Sequence, residues 1–206
     1  MSYKTIRENA QDSFFERKSE FIGYIAPVKT NDEAVDFISS IKAMNKKATH
    51  NVYAYILRDG NISRYSDDGE PQGTAGVPVL DVLKKEGLTD VCCVVTRYFG
   101  GILLGGGGLV RAYSHGAKLA VDAAGIMLMC SCFEITAAMD YSLYGKISNI
   151  LPDFEVKILD TDFSENVKLK FIVRSELCDA LFEKLTDISN GQIILKKSAE
   201  QFADFS

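Results

Sequence analysis

The sequence predicts an α+β protein of two domains: an α/β unit over residues 1–125 and a ferredoxin-like βαββαβ unit over residues 126–206. Three observations lead there. Six glycines between Arg97 and Arg111 separate an apolar, β-branched run, Val91 to Thr96, from a helical pattern. After Gly125 the apolar periodicity alternates in the order strand, helix, strand, strand, helix, strand. At 206 residues, with 47% hydrophobic and 25% charged content, the chain has the size and composition of one or two globular domains.

The elements follow in order. Phe21 to Val28 reads as a strand stopped near Pro27. Thr30 opens a helix with Glu33 placed for a capping box, and Ala34, Phe37, Ile38, Ile41 and Met44 repeat at helical spacing to about Lys46. Val52 to Leu57 is a strand, Asp59-Gly60-Asn61 a hairpin turn, and Ile62 to Tyr65 its return. Val79, Leu80, Val82 and Leu83 suit a short helix ending near Gly87. Val91 to Thr96 is the expected central strand, and Gly108 to Ala124 a helix with Leu109, Tyr113, Gly116 and Ala120 on its apolar face. Gly125 marks the domain junction.

In the second domain, Phe133 to Tyr141 alternates as a strand, and Leu143 to Leu151 is helical up to Pro152. Phe154 to Leu159 and Val167 to Val173 alternate around a turn. Leu177, Leu181 and Leu185 make a helix, and Gln192 to Leu195 a last strand. The tail after Lys197 is expected to be less ordered. Lys157, Lys168 and Lys170 should share the outer sheet face, without the stacking aromatics of RNA-binding sheets.

The net charge of −5 sits wholly in the second domain. Residues 1–125 carry 15 Lys and Arg against 15 Asp and Glu, and residues 126–206 carry 8 against 13. That argues against a globally basic nucleic-acid binder and leaves room for a local patch. Five cysteines form no framework and read as reduced, buried thiols. No apolar run is long enough to span a membrane and the first eleven residues are polar, so a cytoplasmic protein with no membrane partner is expected.

The strand–glycine–helix stretch is the first candidate site. Glycines cluster where the backbone takes positive φ or where something must approach it closely. Successive N–H groups and a helix start attract anions, and arginines add bidentate donors. Arg97, Gly100, Gly101, Gly105, Gly106, Gly107, Gly108 and Arg111 are therefore candidate ligand-binding residues, with a phosphate-bearing ligand in view. The loop has neither the Lys-Ser/Thr of a P-loop nor the dinucleotide glycine spacing. A tight turn with close helix–sheet packing explains the same glycines.

Ser66 to Gly76 is the second. Asp67, Asp68 and Glu70 repel one another unless a cation, an arginine or backbone N–H groups compensate, so they can hold Mg²⁺ or pair with Arg97 or Arg111. Asp67 or Asp68 as a cap, with Thr74 opening the next helix, is the structural alternative. His50 and His115, the only histidines, assign no triad, and no nucleophile is evident. The expectation is one exposed cleft lined by Arg97 and Arg111, with the acids at its rim and His50 nearby.

These residues closely resemble the IMPACT/YigZ family in its bacterial two-domain form. The resemblance rests on Thr49-His50-Asn51-Val52-Tyr53-Ala54-Tyr55, on Ser66-Asp67-Asp68-Gly69-Glu70-Pro71 with Gly73-Thr74-Ala75-Gly76-Val77-Pro78, and on Val94 to Gly101 with Gly107 to Ser114. Tyr144-Gly145-Lys146-Ile147 and Asn190-Gly191 extend it into the second half. It implies a first domain with the topology of domain 2 of a small-subunit ribosomal protein, also seen in phosphorolytic ribonucleases. It implies a second domain similar to the last domain of elongation factor G. Eukaryotic relatives regulate translation by competing for an activator of a stress-responsive kinase, through an N-terminal extension that the short bacterial form lacks. Leu103 stands where relatives often carry lysine, and Gly106 where alanine is common.

The function expected is therefore a translation-associated regulatory or binding protein. It would engage RNA, a ribosome-associated partner or a phosphate-bearing ligand through the first domain. The rivals are a metal-assisted phosphoryl or phosphodiester enzyme using the three acids with the two arginines, and a protein-interaction module with no small ligand.

Overall fold

A computed structural model describes residues 1–206. Eleven strands and five α-helices form two compact units, residues 3–128 and residues 129–205 with the first two residues. No helix is long and apolar enough to cross a membrane.

The first unit is built on a five-stranded antiparallel sheet. Its strands are β2 (Ala10–Glu16), β3 (Ser19–Pro27), β4 (His50–Leu57), β5 (Ile62–Ser66) and β6 (Val91–Tyr98), in the order β2-β3-β6-β4-β5. β6 is the central strand because its residues are apolar on both faces. Cys92 and Val94 pack under α1 (Asn31–Met44) with Ala34, Ile38 and Ile41. Cys93 and Val95 pack on the opposite face with α2 (Gly76–Lys85) and α3 (Gly106–Ala124), beside Leu83, Tyr113 and Ala120. Layers on both faces give a three-layer unit.

Local sequence sets the ends. Thr30 Oγ1 accepts from the Glu33 amide at 3.2 Å, and Glu33 accepts from the Lys29 amide at 2.6 Å, one residue before the usual capping-box partner. α3 lies close against β3 because a side-chain carbon at Gly23 would stand 2.2 Å from the Gly116 carbonyl oxygen.

Two strands at the start differ from the sequence reading, which began the fold at Phe21. β1 (Ser2–Ile6) buries Ile6, and its Lys4 carbonyl accepts from Thr89 at 2.9 Å. β2 is an edge strand that turns Ala10 and Phe14 inward and leaves Gln11, Ser13 and Phe15 exposed. An edge strand with one lightly apolar face looks like a polar terminus in sequence.

The second unit is ferredoxin-like. β7 (Ile126–Met139), α4 (Tyr141–Ser148), β8 (Lys157–Phe163), β9 (Val167–Arg174), α5 (Cys178–Ile188) and β10 (Ile194–Lys197) run in the order βαββαβ. β7 pairs β9, β9 pairs β8, and β10 lies antiparallel on β7. Ile135, Leu169, Phe171, Ile147, Leu181 and Leu185 form the core between sheet and helices. The tail is ordered, contrary to expectation. β11 (Gln201–Asp204) pairs β7 from Cys132 to Met129. β7 is fourteen residues long, so its first half offers a ladder that β10 does not cover.

Candidate functional site

Strand pairing joins motifs that lie far apart in sequence. In the β4–β6 register His50 stands opposite Arg97, so both project from the α3 face of the sheet at one end. Glu70 reaches the same place from the β5–α2 connection, and Tyr113 from the second turn of α3. Arg97 Nη1 donates to Glu70 Oε1 at 2.7 Å, and Tyr113 OH donates to the same oxygen at 2.7 Å. His50 Nε2 lies 3.7 Å from it. Arg97 Nη2 donates to Ser19 Oγ at 3.4 Å, and Ser19 Oγ also takes the Gly100 amide at 3.2 Å. The Glu70 and Arg97 side chains are only 4% and 6% exposed, so this is a buried, charge-assisted cluster. Burial first, and then the bond to Glu70, push the Tyr113 hydroxyl well above its ordinary pKa, so it remains a donor.

His50 is held from its other side. Its Nδ1 lies 2.8 Å from the Asp68 backbone carbonyl, which can only accept, so Nδ1 carries the proton. In the neutral ring Nε2 is then an acceptor.

His50, Glu70 and Arg97 floor a cavity of about 370 Å³. Pro71, Phe99, Leu103, Leu104 and Leu109 wall it, and Gly105 and Gly106 form its rim. Phe99 and Leu103 are exposed at 46% and 79%. The guanidinium carbon of Arg97 sits 5.3 Å from the Phe99 ring centroid and 5.4 Å from that of Phe21.

The rim is the start of α3. Gly105 is its N-cap at φ 75°, ψ 162°, a conformation open essentially to glycine alone. No side chain caps this helix, and Gly106, Gly107 and Gly108 fill its first turn. Gly101 also has positive φ, at 83°. On the other side of Leu104 lies a second recess of about 230 Å³, lined by Phe14, Arg17, Arg111 and His115 among others. Arg111 is exposed there, and His115 is edge-on to Phe14 at 4.6 Å.

The acids differ from the sequence expectation. Asp67 is not a rim carboxylate: it accepts from the amides of Gly73 at 2.9 Å, Ala75 at 3.1 Å and Gly76 at 2.8 Å, and so caps α2 from nine residues away. Asp68 takes Lys42 Nζ at 2.7 Å and the Asn51 amide at 2.6 Å. Thr74 does not cap α2; its hydroxyl donates to the Pro71 carbonyl at 2.6 Å. The three carboxylates diverge to separate partners, and no group of three His, Cys, Asp or Glu side chains converges for Mg²⁺ or another metal. Nor do the two arginines line one exposed cleft. Arg97 is buried against Glu70, whereas Arg111 is exposed in the neighbouring recess. Mutual repulsion among the acids is relieved locally, by backbone amides and lysine as well as by arginine. The sequence reading passed over Tyr113 as a functional residue, although a tyrosine on an apolar helix face needs a partner for its hydroxyl. Phe99 had no signal beyond standing next to Gly100, and Leu103 stood out only as a leucine where relatives often carry lysine.

Two known sequence patterns match the chain. Residues 17–121 match the Impact N-terminal domain, and residues 138–192 match a domain of unknown function, DUF1949. IMPACT family member YvyE of Bacillus subtilis is 40% identical over 197 residues, 95% of this chain and 91% of that protein. IMPACT family member YigZ of Escherichia coli is 34% identical over 182 residues, 87% of this chain and 89% of that protein. A crystal structure described as that of a hypothetical protein aligns with a TM-score of 0.61 at 31% identity, over 94% of this chain and 96% of that one.

Proposed function

The chain belongs to the IMPACT family, and we propose that its first unit binds RNA through the phosphate backbone, in the translation-associated role that the resemblance implies. One observation carries this reading: the uncapped, all-glycine first turn of α3 lies one turn from an exposed arginine, Arg111. First-turn N–H groups without an intrahelical partner favour an anion, and the helix dipole adds to that. Glycine side chains leave those amides open to a ligand as large as a phosphodiester. Exposed Arg17 and Lys18 extend the positive surface on the β2–β3 turn. Exposed Phe99 and Leu103 on the other side supply apolar surface for bases.

The metal-assisted enzyme is the weaker reading, because the three carboxylates it needs are committed to separate partners.

Titration of a short single-stranded RNA and of inorganic phosphate against wild type and Arg111→Ala, with melting curves, tests the proposal. Wild-type binding weakens with salt. Arg111→Ala binds less tightly, lowers the slope of log affinity against log salt by about one, and leaves the melting temperature unchanged. Absence of salt-dependent RNA binding by wild type overturns the reading in favour of a protein-interaction module.

A further inference from the structure

We propose that the cavity over Glu70 is a nucleobase pocket that selects guanine. This rests on the reading that the first unit binds a phosphate-bearing ligand, and names the part of that ligand the cavity receives. Volume and lining set the class. At about 370 Å³ the cavity is near the lower end of small-ligand sites, roughly 300–1,000 Å³. It accommodates one nucleoside rather than a stretch of polymer. Its walls are leucines, Pro71 and the Phe99 ring, against which an unstacked base loses little by leaving water.

The floor sets the identity. Both side-chain hydrogen bonds of Glu70 fall on Oε1, so Oε2 keeps its accepting capacity. In the neutral ring His50 Nε2 is a second acceptor, since Nδ1 is tied to the Asp68 carbonyl. Both border the same small space, where a ligand with two adjacent donors can satisfy them together. Beside them lies the Arg97 guanidinium, its Nε buried with no hydrogen-bond partner, in a residue that is 5% exposed. The floor thus sets two acceptors beside the Arg97 guanidinium.

The Watson–Crick edge of guanine carries the complement: two adjacent donors, N1–H and the N2 amino group, beside the O6 acceptor. Adenine offers one donor group beside a bare nitrogen, and uracil a single N–H between two acceptors. Either would leave a buried polar group unpaired, which is what makes such sites discriminate. Gly105 and Gly106 stand on the rim, so a base in the cavity leaves its phosphate beside the open helix start.

The test uses the full chain with guanosine, adenosine, GMP, AMP and two short single-stranded RNAs that differ only by a terminal G or A. His50→Asn keeps a donor where Nδ1 stands and removes Nε2. Phe99→Ala removes an exposed wall. Neither removes a core side chain, and melting curves confirm folding. Wild type should prefer guanosine to adenosine by about tenfold or more. His50→Asn should lose that preference and Phe99→Ala should weaken both nucleosides, with RNA retaining a weakened, salt-dependent affinity. Arg111→Ala should weaken GMP and leave guanosine unchanged. A guanosine preference that carries over to GMP against AMP and not to the two RNAs assigns the pocket to free nucleotide, and one that carries over to the two RNAs assigns it to an RNA end. Either supports a guanine pocket. Equal binding of guanosine and adenosine, or no nucleoside binding while RNA still binds, overturns the pocket and leaves the phosphate reading standing. Loss of all binding, RNA included, overturns both.

Discussion

Charge in the first unit is buried and shared; charge on the second unit's sheet is exposed and paired across strands. Around Glu70 one carboxylate oxygen serves Arg97 and Tyr113 at once, with almost no solvent contact. On the outer face of the β7–β9 sheet, Lys170 meets Glu134 at 3.0 Å with its side chain 47% exposed. Asp160 and Asp162 stand opposite Lys170 and Lys168 on β8. The residue types are similar and the physics is not. Water screens the second set, whereas the first must satisfy itself internally or through a ligand. A recess on that outer face, lined by Thr136, Ala138, Lys168, Ile194 and Lys196, is about as large as the cavity over Glu70. Volume alone therefore does not separate them; the buried, incompletely satisfied polar floor does.

The largest effect should come from breaking the buried cluster. Glu70→Ala leaves Arg97 buried without its anion and Tyr113 without its acceptor. Removing one partner of a buried pair typically costs about 3–5 kcal/mol. Urea denaturation should show a loss of that size, and a change below about 1 kcal/mol would mean that water already screens the cluster.

Next comes the backbone that frames the cavity. Alanine at Gly105 must adopt φ 75°, ψ 162°, a strain of about 1–3 kcal/mol. Gly107→Ala should do the opposite. That position is helical and its nearest neighbour is Arg111 Nη1 at 3.8 Å. Alanine there should stabilise α3 by up to about 1 kcal/mol and weaken phosphate and RNA binding by covering the first-turn amides. Thermal melts and RNA titrations on both variants read the two effects separately. Unchanged binding by Gly107→Ala would detach the glycines from function.

The same contrast explains what the sequence made legible. The βαββαβ order of the second unit could be read because its strands bury one face, and Val167, Leu169, Phe171 and Val173 alternate cleanly with Lys168 and Lys170. The central strand and α3 could be read from the glycine stretch between them. β2 and β11 could not, since edge strands of this kind carry little apolar signal. In the site, residue types marked the segments that meet and not the partners each side chain takes. That Glu70 would take Arg97 while Asp67 capped α2 depends on three positions at positive φ, Asp68, Gly69 and Gly73, which aim neighbouring carboxylates apart. Spacing in sequence does not encode that divergence.

Buried thiols extend the comparison to alkaline pH. Burial pushes the Cys93 thiol up to about 12 from 9.0, and raises Cys92 in the same direction. Below pH 9 the thiol is protonated in both folded and unfolded chains and adds no pH dependence. Between pH 9 and 12 it ionises only on unfolding, so stability falls by about 1.4 kcal/mol per pH unit from such a group. Cys93→Ala should be less stable at pH 7, because it leaves a small cavity, and should show a shallower decline above pH 9. Urea midpoints at pH 7, 9 and 10 measure the slope, and equal slopes for both proteins would place the alkaline sensitivity elsewhere.

The smallest effect should come from the second unit's exposed charge. Lys170→Ala removes an ion pair to Glu134 in which both side chains remain hydrated, and such pairs contribute about 0–1 kcal/mol. The released Glu134 is 30% exposed and is solvated rather than stranded. Denaturation midpoints should therefore move by less than about 0.5 kcal/mol, and RNA affinity and its salt slope should stay at wild-type values. A measurable loss of RNA binding by Lys170→Ala would make the lysine face a working surface, and the division of labour between the two units would have to be redrawn around it.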